Sequence, residues 1–184
     1  MHIAHRHIGE TNIFELMPLF IQTPRFVIRE FKPEEEEIYV ELYDDEQVII
    51  HLPKRTRQEQ YEIFRGTMAD YEAGKTLTRW GLFNNGDGDY IGSCLLRNFY
   101  DFDGKIEVGY SLHQKYWGKG IATEMTQIMI AYGFTNTDAE EIVALTTLEN
   151  VGSQKVLLKA GMERLENFHK DGEELAYFRI KRGN

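Results

Sequence analysis

The segment Lys105–Phe134 (KIEVGYSLHQKYWGKGIATEMTQIMIAYGF) constrains the fold more than any other part of the chain. Residues 106–112 alternate apolar and polar side chains, a pattern that predicts a β-strand. The loop Trp117–Ala122 (WGKGIA) follows, and the apolar periodicity after it predicts a helix over about 118–134. Glycines between a strand and a helix N-terminus leave backbone N–H groups free, and the helix dipole adds about half a positive charge there. The segment therefore predicts a site for the pyrophosphate of a cofactor.

Length and composition narrow the class of protein. The chain has 184 residues, which suits one domain, and its 42% hydrophobic and 28% charged residues are ordinary for a globular protein. The net charge of −9 argues against nucleic-acid binding, because phosphate neutralisation is the main source of that affinity. It suits a cationic substrate or partner through steering, although solubility alone also explains it.

Cysteine content and hydropathy indicate where in the cell the protein is expected. The single cysteine, Cys94, excludes an internal disulfide and a cysteine-based zinc site. No apolar run approaches the roughly 20 residues that a membrane span needs, and the N-terminus lacks a secretory apolar region. We therefore expect a cytoplasmic protein with no membrane association.

The chain divides into an N-terminal extension, residues 1–22, and a single domain, residues 23–184. The segment Asn12–Ile21 is too apolar for a free tail, and we expect it to form a short packed helix or a subunit contact in a monomer or homodimer. A mobile tail explains three nearby histidines better than a metal site does, and we expect no metal. These histidines are His2, His5 and His7.

Periodicity and turn residues predict the remaining elements. Strands are predicted at 25–31, 78–83, 90–98, 106–112, 141–147, 162–169 and 174–181. Helices are predicted from Pro33, over 44–51, over 56–74, over 118–134 and over 150–160. The turn Asn84–Asp89, with its Asn-Gly and Asp-Gly pairs, predicts a hairpin. The order is β-α-α-α-β-β-β-α-β-α-β-β, a mixed sheet with one helical crossover at its centre.

Three short motifs follow one another along the chain: EVGY at Glu107–Tyr110, WGKGIA at Trp117–Ala122 and NVGSQKVLLKAGM at Asn150–Met162. Together they resemble the GCN5-related N-acetyltransferase (GNAT) superfamily, specifically its ribosomal-protein N-acetyltransferase (RimJ/RimL-like) branch. The resemblance extends from about Thr23 to Arg182. It implies an α+β (mixed α/β) fold with a central, mostly antiparallel sheet of about six to seven strands. Helices flank this sheet, which is splayed near the acyl-CoA site.

The motifs also depart from the family pattern at two positions. Gly120 and Ala122 occupy the last two positions of the family's Gln/Arg-x-x-Gly-x-Gly/Ala acyl-CoA pyrophosphate loop, but Trp117 stands where Gln or Arg is usual. The third motif is similar to the family's Asn-x-x-Ala/Ser helix ending in Gly-Phe, with Met162 in place of Phe.

The resemblance implies that the co-substrate is acetyl-CoA, with no metal. The loop would hold the diphosphate, where glycine permits close backbone approach. Backbone amides near Tyr110–Leu112 would hold the acetyl carbonyl as oxyanion charge develops. Asn150 would bond the pantetheine arm or only cap its helix. The residues implied in cofactor binding are Tyr110, Ser111, Leu112, Trp117, Gly118, Lys119, Gly120, Ile121, Ala122, Asn150 and Ser153.

Two residues are candidates for the chemistry. Glu107 lies on a strand expected to be buried, and burial raises the pKa of a carboxyl group toward the range of a general base, acting directly or through water. The alternative is a structural glutamate paired with Arg79 or Arg97. Ser153 is the hydroxyl nearest the thiolate by motif register, since Leu157 stands where many family members carry a proton-donating Tyr.

The sequence leaves the identity of the acceptor amine open. A peptide α-amine, with a pKa of about 8, is roughly a tenth neutral at pH 7, whereas a lysine amine is neutral in less than about one molecule in a thousand. This favours an α-amine, in agreement with a ribosomal-protein N-terminus as partner. A small amine such as a polyamine or aminoglycoside is the alternative acceptor, and a non-catalytic acyl-CoA-binding module is the alternative class of protein.

Overall fold

The computed structural model describes residues 20–100, 102–170 and 172–183. Predictions for residues 1–19, which include the three N-terminal histidines and most of the apolar segment Asn12–Ile21, lie outside the described residues. Phe20 and Ile21, the described end of that segment, belong to a short strand and not to a helix.

A mixed sheet forms the centre of the molecule. Its strands are β1 (Phe20–Gln22), β2 (Phe26–Arg29), β3 (Arg79–Asn84), β4 (Tyr90–Asn98), β5 (Lys105–Leu112), β6 (Glu141–Thr147), β7 (Glu163–Arg164), β8 (Phe168–Lys170) and β9 (Glu173–Lys181). The spatial order is β1-β2-β3-β4-β5-β6-β9-β7, and β8 also pairs with β9. The β5–β6 pair is parallel and the other pairs are antiparallel. The predicted fold class is confirmed.

Helices cover both faces of the sheet. They are α1 (Glu36–Glu41), α2 (Glu46–Ile49), α3 (Arg57–Glu72), α4 (Ile121–Asn136) and α5 (Val151–Lys159). The first three pack in one apolar cluster with the β3–β4 hairpin, and the last two contribute to a second cluster around β5 and β6. Helix α3 begins at a capping box between Thr56 and Glu59, and α5 begins at the cap Asn150.

Close contact between α4 and the sheet fixes the central strand–loop–helix unit. At Gly133 an added Cβ would lie 2.9 Å from Cδ1 of Ile142 and 3.0 Å from Cδ1 of Ile106. Only glycine allows this approach without displacement of both side chains. Ile106 and Val108 of β5 face this core, so Glu107, Gly109 and Ser111, which alternate with them along the strand, face the side covered by α1–α3.

The parallel strands β5 and β6 pair only where Lys105–Glu107 lies beside Glu141–Val143. Beyond that point β5 continues along β4 to Leu112, and β6 continues along β9 to Thr147. The two strands therefore separate toward their carboxyl ends. The backbone N–H and C=O groups on their facing edges therefore need hydrogen-bond partners other than the neighbouring strand.

The predicted strand 162–169 is wrong in detail, because it consists of two short strands, β7 and β8. Arg164 pairs with Phe178 on β9, and Phe168 pairs with Leu175 on β9. The segment from β7 to β8 therefore has one residue more between these two pairs than β9 has. An extra residue bulges out of an antiparallel ladder and interrupts it. Together with β1, this break raises the number of strands in the described residues to nine, above the expected six to seven.

Candidate functional site

The loop after β5 presents free backbone N–H groups at the start of α4. Gly118 and Gly120 have φ values of +70° and +78°, in the left-handed region that favours glycine. Helix α4 begins at Ile121 and not at Gly118 as predicted, so the loop residues stay outside the helix. The N-terminus of this helix then adds its partial positive charge to the same place. This geometry fits the diphosphate that the loop motif implies.

Trp117, the residue that departs from the family pattern, ties the loop to the strand. Its indole Nε1 donates a hydrogen bond to the carbonyl of Leu112 at 2.8 Å, while 48% of the residue stays exposed. Trp117 therefore supplies no charge, but it holds the loop against the end of β5.

Positive charge at the loop comes from two lysines and from an arginine that is distant in sequence. Lys115 forms an ion pair with Asp89, whereas Lys119 lies over the ring of Tyr116 at 5.6 Å. Arg25, which immediately precedes β2, donates to the carbonyl of Lys119 and forms a 3.1 Å ion pair with Glu124 in the first turn of α4. No local pattern in the sequence indicated Arg25, because its partners lie about a hundred residues away along the chain.

The third motif meets the strand motif at a pair of hydroxyl groups. Tyr110 Oη and Ser153 Oγ lie 3.1 Å apart, and burial raises the pKa of Tyr110 to about 12 despite this hydrogen bond. Oδ1 of Asn150 accepts the Ser153 N–H at 3.0 Å and so caps α5. Among the described residues the amide NH₂ of Asn150 donates to no other group, which leaves it available to a ligand.

Glu107 lies where β5 and β6 begin to separate. Its side chain is 9% exposed and receives two hydrogen bonds from Arg97, its neighbour across β4, at 2.9 and 3.0 Å. Of the two arginines considered as partners, the register between β4 and β5 selects Arg97. Glu107 faces away from the core of Ile106 and Val108, as strand alternation predicts.

Arg79 instead belongs to a group of residues that the sequence did not indicate. Its Nη1 lies 3.5 Å from Tyr43 Oη and 3.3 Å from Ser93 Oγ, and these two oxygens are 3.2 Å apart. Burial acts to raise the pKa of Tyr43, but the Arg79 guanidinium, with hydrogen bonds that include Ser93, outweighs it and lowers that pKa. Ser111, directly opposite Ser93 on β5, is another hydrogen-bond partner of this phenol.

The segment around α2 connects the two separated strands. Asp45, the cap of α2, accepts hydrogen bonds from Gln114 just after β5, at 2.9 and 3.1 Å. His51 Nδ1 lies 2.9 Å from Oγ1 of Thr147 at the end of β6. The α2 segment therefore spans the gap between the strands on the side that Glu107 faces, and it borders any acceptor that reaches Glu107.

Two further groups take no part in this site. Cys94 is buried in the core, and burial raises the pKa of its thiol to about 12, so the group is a neutral thiol at physiological pH. A cavity of about 520 Å³ lies at the Lys105 end of β5, beside Thr137–Ala139, at the opposite end of the strand from the separation.

Within residues 20–100, 102–170 and 172–183, no three His, Cys, Asp or Glu side chains come together in a way that would hold a metal ion. In the same part of the chain, every helix is too short or too polar to cross a bilayer.

Comparison with known proteins assigns the chain to a family. The acetyltransferase (GNAT) domain matches residues 25–163. An uncharacterized N-acetyltransferase of Bacillus subtilis (strain 168), YnaD, is 28% identical over 155 residues, which is 83% of this chain and 86% of YnaD. The chain belongs to the GNAT acetyltransferases. It is an acetyl-CoA-dependent N-acetyltransferase.

Solved structures share the architecture. A GNAT acetyltransferase from Bacillus anthracis superposes with a TM-score of 0.76 at 25% identity, covering 90% of this chain and 100% of that one. The ribosomal-protein-S5-alanine acetyltransferase from Vibrio fischeri also gives 0.76, at 17% identity, covering 90% of this chain and 98% of that one. The latter likeness shows a common fold.

Proposed function

We propose that this enzyme transfers the acetyl group of acetyl-CoA directly to a protein N-terminal α-amine, of the ribosomal-protein type found in the RimJ/RimL-like branch. The observation that carries the proposal is the separation of β5 from β6 immediately after Glu107. This separation leaves an open edge on β5, which lies along the chain between a shielded carboxylate and a glycine loop at a helix N-terminus. The fold shared with a ribosomal-protein acetyltransferase supports the acceptor class.

In this proposal acetyl-CoA lies between the separated strands. The N–H groups of 118–122 bind the diphosphate, since the Trp117 N–H already donates to the carbonyl of Gln114 at 2.9 Å. The open edge at Tyr110–Leu112 binds the pantetheine and the acetyl carbonyl. Asn150 contributes its free amide NH₂ to the pantetheine arm while its oxygen caps α5. These groups are rigidly held before the cofactor arrives, so little reorganisation is needed when oxyanion charge develops.

The acceptor approaches from the side covered by α1–α3. Its neutral nitrogen attacks the thioester carbon, the carbonyl oxygen becomes an oxyanion, and the C–S bond breaks to release the CoA thiolate. Glu107 takes the proton from the amine, directly or through one water, because each carboxylate oxygen retains a lone pair beyond the Arg97 hydrogen bonds. Ser153 donates a hydrogen bond to the leaving thiolate, with Tyr110 behind it.

A small cationic amine, such as a polyamine or aminoglycoside, is the second candidate acceptor, and the net charge of −9 favours it. The Arg97–Glu107 pair is the observation that favours a non-catalytic acyl-CoA-binding module, because a paired carboxylate also has a purely structural use. These alternatives make different predictions for turnover.

The test measures acetyl-CoA turnover with ribosomal N-terminal peptides, polyamines and aminoglycosides. We expect Glu107→Gln to lower kcat about 10²- to 10⁴-fold, the usual contribution of a general base, with the KM for acetyl-CoA within about twofold. Glu163→Gln is the matched control, since Glu163 is also a glutamate that receives two hydrogen bonds from one arginine, Arg179, at 2.9 and 2.6 Å. Unchanged turnover in Glu107→Gln would remove Glu107 as the base. No turnover with any amine would favour the binding module.

A further inference from the structure

A second cavity lies beside the acceptor side of the sheet. It has a volume of about 300 Å³, enough for a small side chain or a carboxylate group with its hydration. Its lining residues come from the α1–α2 connection, from α2 with the loop after it, and from α3: Tyr43, Ile49, Leu52, Pro53, Lys54, Arg55 and Gln60.

Tyr43 connects this cavity to the strand that is expected to hold the acetyl group. The ring lines the cavity, and the hydroxyl lies 3.2 Å from Ser93 Oγ. Ser93 is paired directly with Ser111 on β5, within the Tyr110–Leu112 stretch. A molecule whose amine reaches the open edge of β5 therefore has its other end near the cavity.

The charged residues that line the cavity are all positive. Lys54 and Arg55 line it, and neither has an acidic partner within ion-pair distance among the described residues. The side chain of Arg79 likewise has no acidic partner among the described residues: it donates to hydroxyl oxygens and lies 5.7 Å from the ring centre of Tyr39. Elsewhere in the described chain most arginines are paired with an acid: Arg25, Arg29, Arg57, Arg65, Arg97 and Arg179.

Both unpaired arginines act on the same tyrosine. Arg55 and Arg79 each favour the ionised form of Tyr39, the neighbour of Tyr43, so their positive fields overlap there. Lys54 and Arg55 are exposed residues of the cavity lining, so both side chains are available as charged donors to an anion that enters it. In a protein whose net charge is −9, a concentration of unmatched cations next to the acceptor path is a local exception.

We propose that this cavity binds a carboxylate of the acceptor, so that the preferred acceptor is an amine that carries a carboxylate group within one or two residues of its nitrogen. The proposal rests on the acetyl-transfer function and names the chemistry of its acceptor. The carboxylate comes either from a free amino acid or from an acidic side chain at the start of a peptide. Lys54 and Arg55 bind it as charged donors, and the hydroxyl of Tyr43 lies at its inner end.

The experiment compares matched acceptors that differ only in the carboxylate. One pair is L-alanine and L-alaninamide, and the other is an Ala-Glu peptide amide and the corresponding Ala-Gln peptide amide. We expect the carboxylate member of at least one pair to have a KM about tenfold lower in wild-type enzyme, and the pair that responds identifies the source. In Lys54→Gln/Arg55→Gln we expect this ratio to fall to about one, with kcat for the neutral acceptor unchanged.

The control variant is Lys75→Gln/Lys181→Gln, which removes the same charge at exposed positions paired with Asp70 and Glu141. It should keep the wild-type ratio, which separates a local effect from a change in net charge. Equal KM values within both pairs in wild-type enzyme, or an undiminished ratio in Lys54→Gln/Arg55→Gln, would overturn the proposal. Those results leave acetyl transfer itself intact, whereas absence of turnover with every amine would count against the proposed function.

Discussion

Arg97 and Glu107 face each other across β4 and β5 and share two hydrogen bonds at the point where the sheet opens. Arg97 is 53% exposed at its side chain, whereas Glu107 is 9% exposed. The guanidinium therefore shields a carboxylate that would otherwise line the proposed acceptor path, and it limits the directions from which a proton could reach Glu107.

This pair predicts an effect on turnover that is separable from cofactor binding. Arg97→Gln removes the guanidinium that donates two hydrogen bonds to Glu107, so the carboxylate is less firmly oriented. We expect kcat to fall about tenfold, with the KM for acetyl-CoA within about twofold. Steady-state kinetics with one peptide acceptor measure both constants. An unchanged kcat would mean that Arg97 does not position Glu107 for the reaction.

The hydroxyl pair of Tyr110 and Ser153 predicts coupled mutants. Ser153→Ala should lower kcat about 10- to 100-fold, the value of a hydrogen bond to a charged group, with the KM for acetyl-CoA nearly unchanged. Because the Ser153 N–H, not its side chain, completes the α5 cap, the fold is retained. Tyr110→Phe should have a smaller effect.

The double variant of this pair gives the control. If Tyr110 acts through Ser153, the double variant should be no slower than Ser153→Ala alone. Since the pKa of Tyr110 is about 12, neither single variant should remove a limb of the pH profile below about pH 10. Fully additive losses would show that the two hydroxyl groups act independently.

Glu35 predicts the acid sensitivity of the fold. Burial acts to raise its pKa, but hydrogen bonds from Arg29 and from the Lys32 N–H outweigh burial and lower it below 4.5. A carboxyl group with a lowered pKa in the folded state stabilises the fold above its unfolded pKa, and that stabilisation is lost as pH falls through the folded value. Glu35→Gln should therefore be less stable than wild type at pH 7, by about 1–3 kcal/mol, with the gap closing below pH 4.

Urea unfolding between pH 7 and pH 3 measures this gap. Glu34→Gln is the control, because Glu34 is an exposed neighbour that forms no ion pair among the described residues. A gap that stays constant with pH would contradict an electrostatic origin.

Much of the fold was predictable because its signals are local. The bounds 90–98 and 141–147 were predicted residue for residue, since alternating or continuous apolar runs end there at turn residues. The capping role of Asn150 was equally local. The break between β7 and β8 was not predictable, because it depends on the register of Phe178 and Leu175 on another strand.

The site was less predictable, because its partners are distant in sequence. The pattern around Glu107 left Arg79 and Arg97 as equal candidates, and only strand register distinguishes them. The Tyr43–Arg79 group joins residues from a short helical turn and a strand with no motif between them. Arg25 is the clearest case, since its ion pair with Glu124 spans 99 residues.

Arg25 leads to a prediction about cofactor affinity. It joins the loop carbonyl of Lys119 to Glu124 on α4, so it holds the loop in the conformation that leaves its N–H groups free. Arg25→Gln should raise the KM and the Kd for acetyl-CoA about tenfold, roughly the worth of one or two charge-assisted hydrogen bonds, with kcat within about twofold. Arg25→Lys should recover only part of this, because an ammonium group lacks the guanidinium fork that reaches both partners.

Calorimetric titration with CoA and steady-state kinetics give the two constants independently. Arg65→Gln is the matched control, because Arg65 forms an exposed ion pair with Glu36 on the opposite side of the sheet, at 2.9 Å. It should leave both constants unchanged. If Arg25→Gln lowered kcat with unchanged affinity for CoA, Arg25 would act on the acetyl group or the acceptor, and its contact with the loop would be structural.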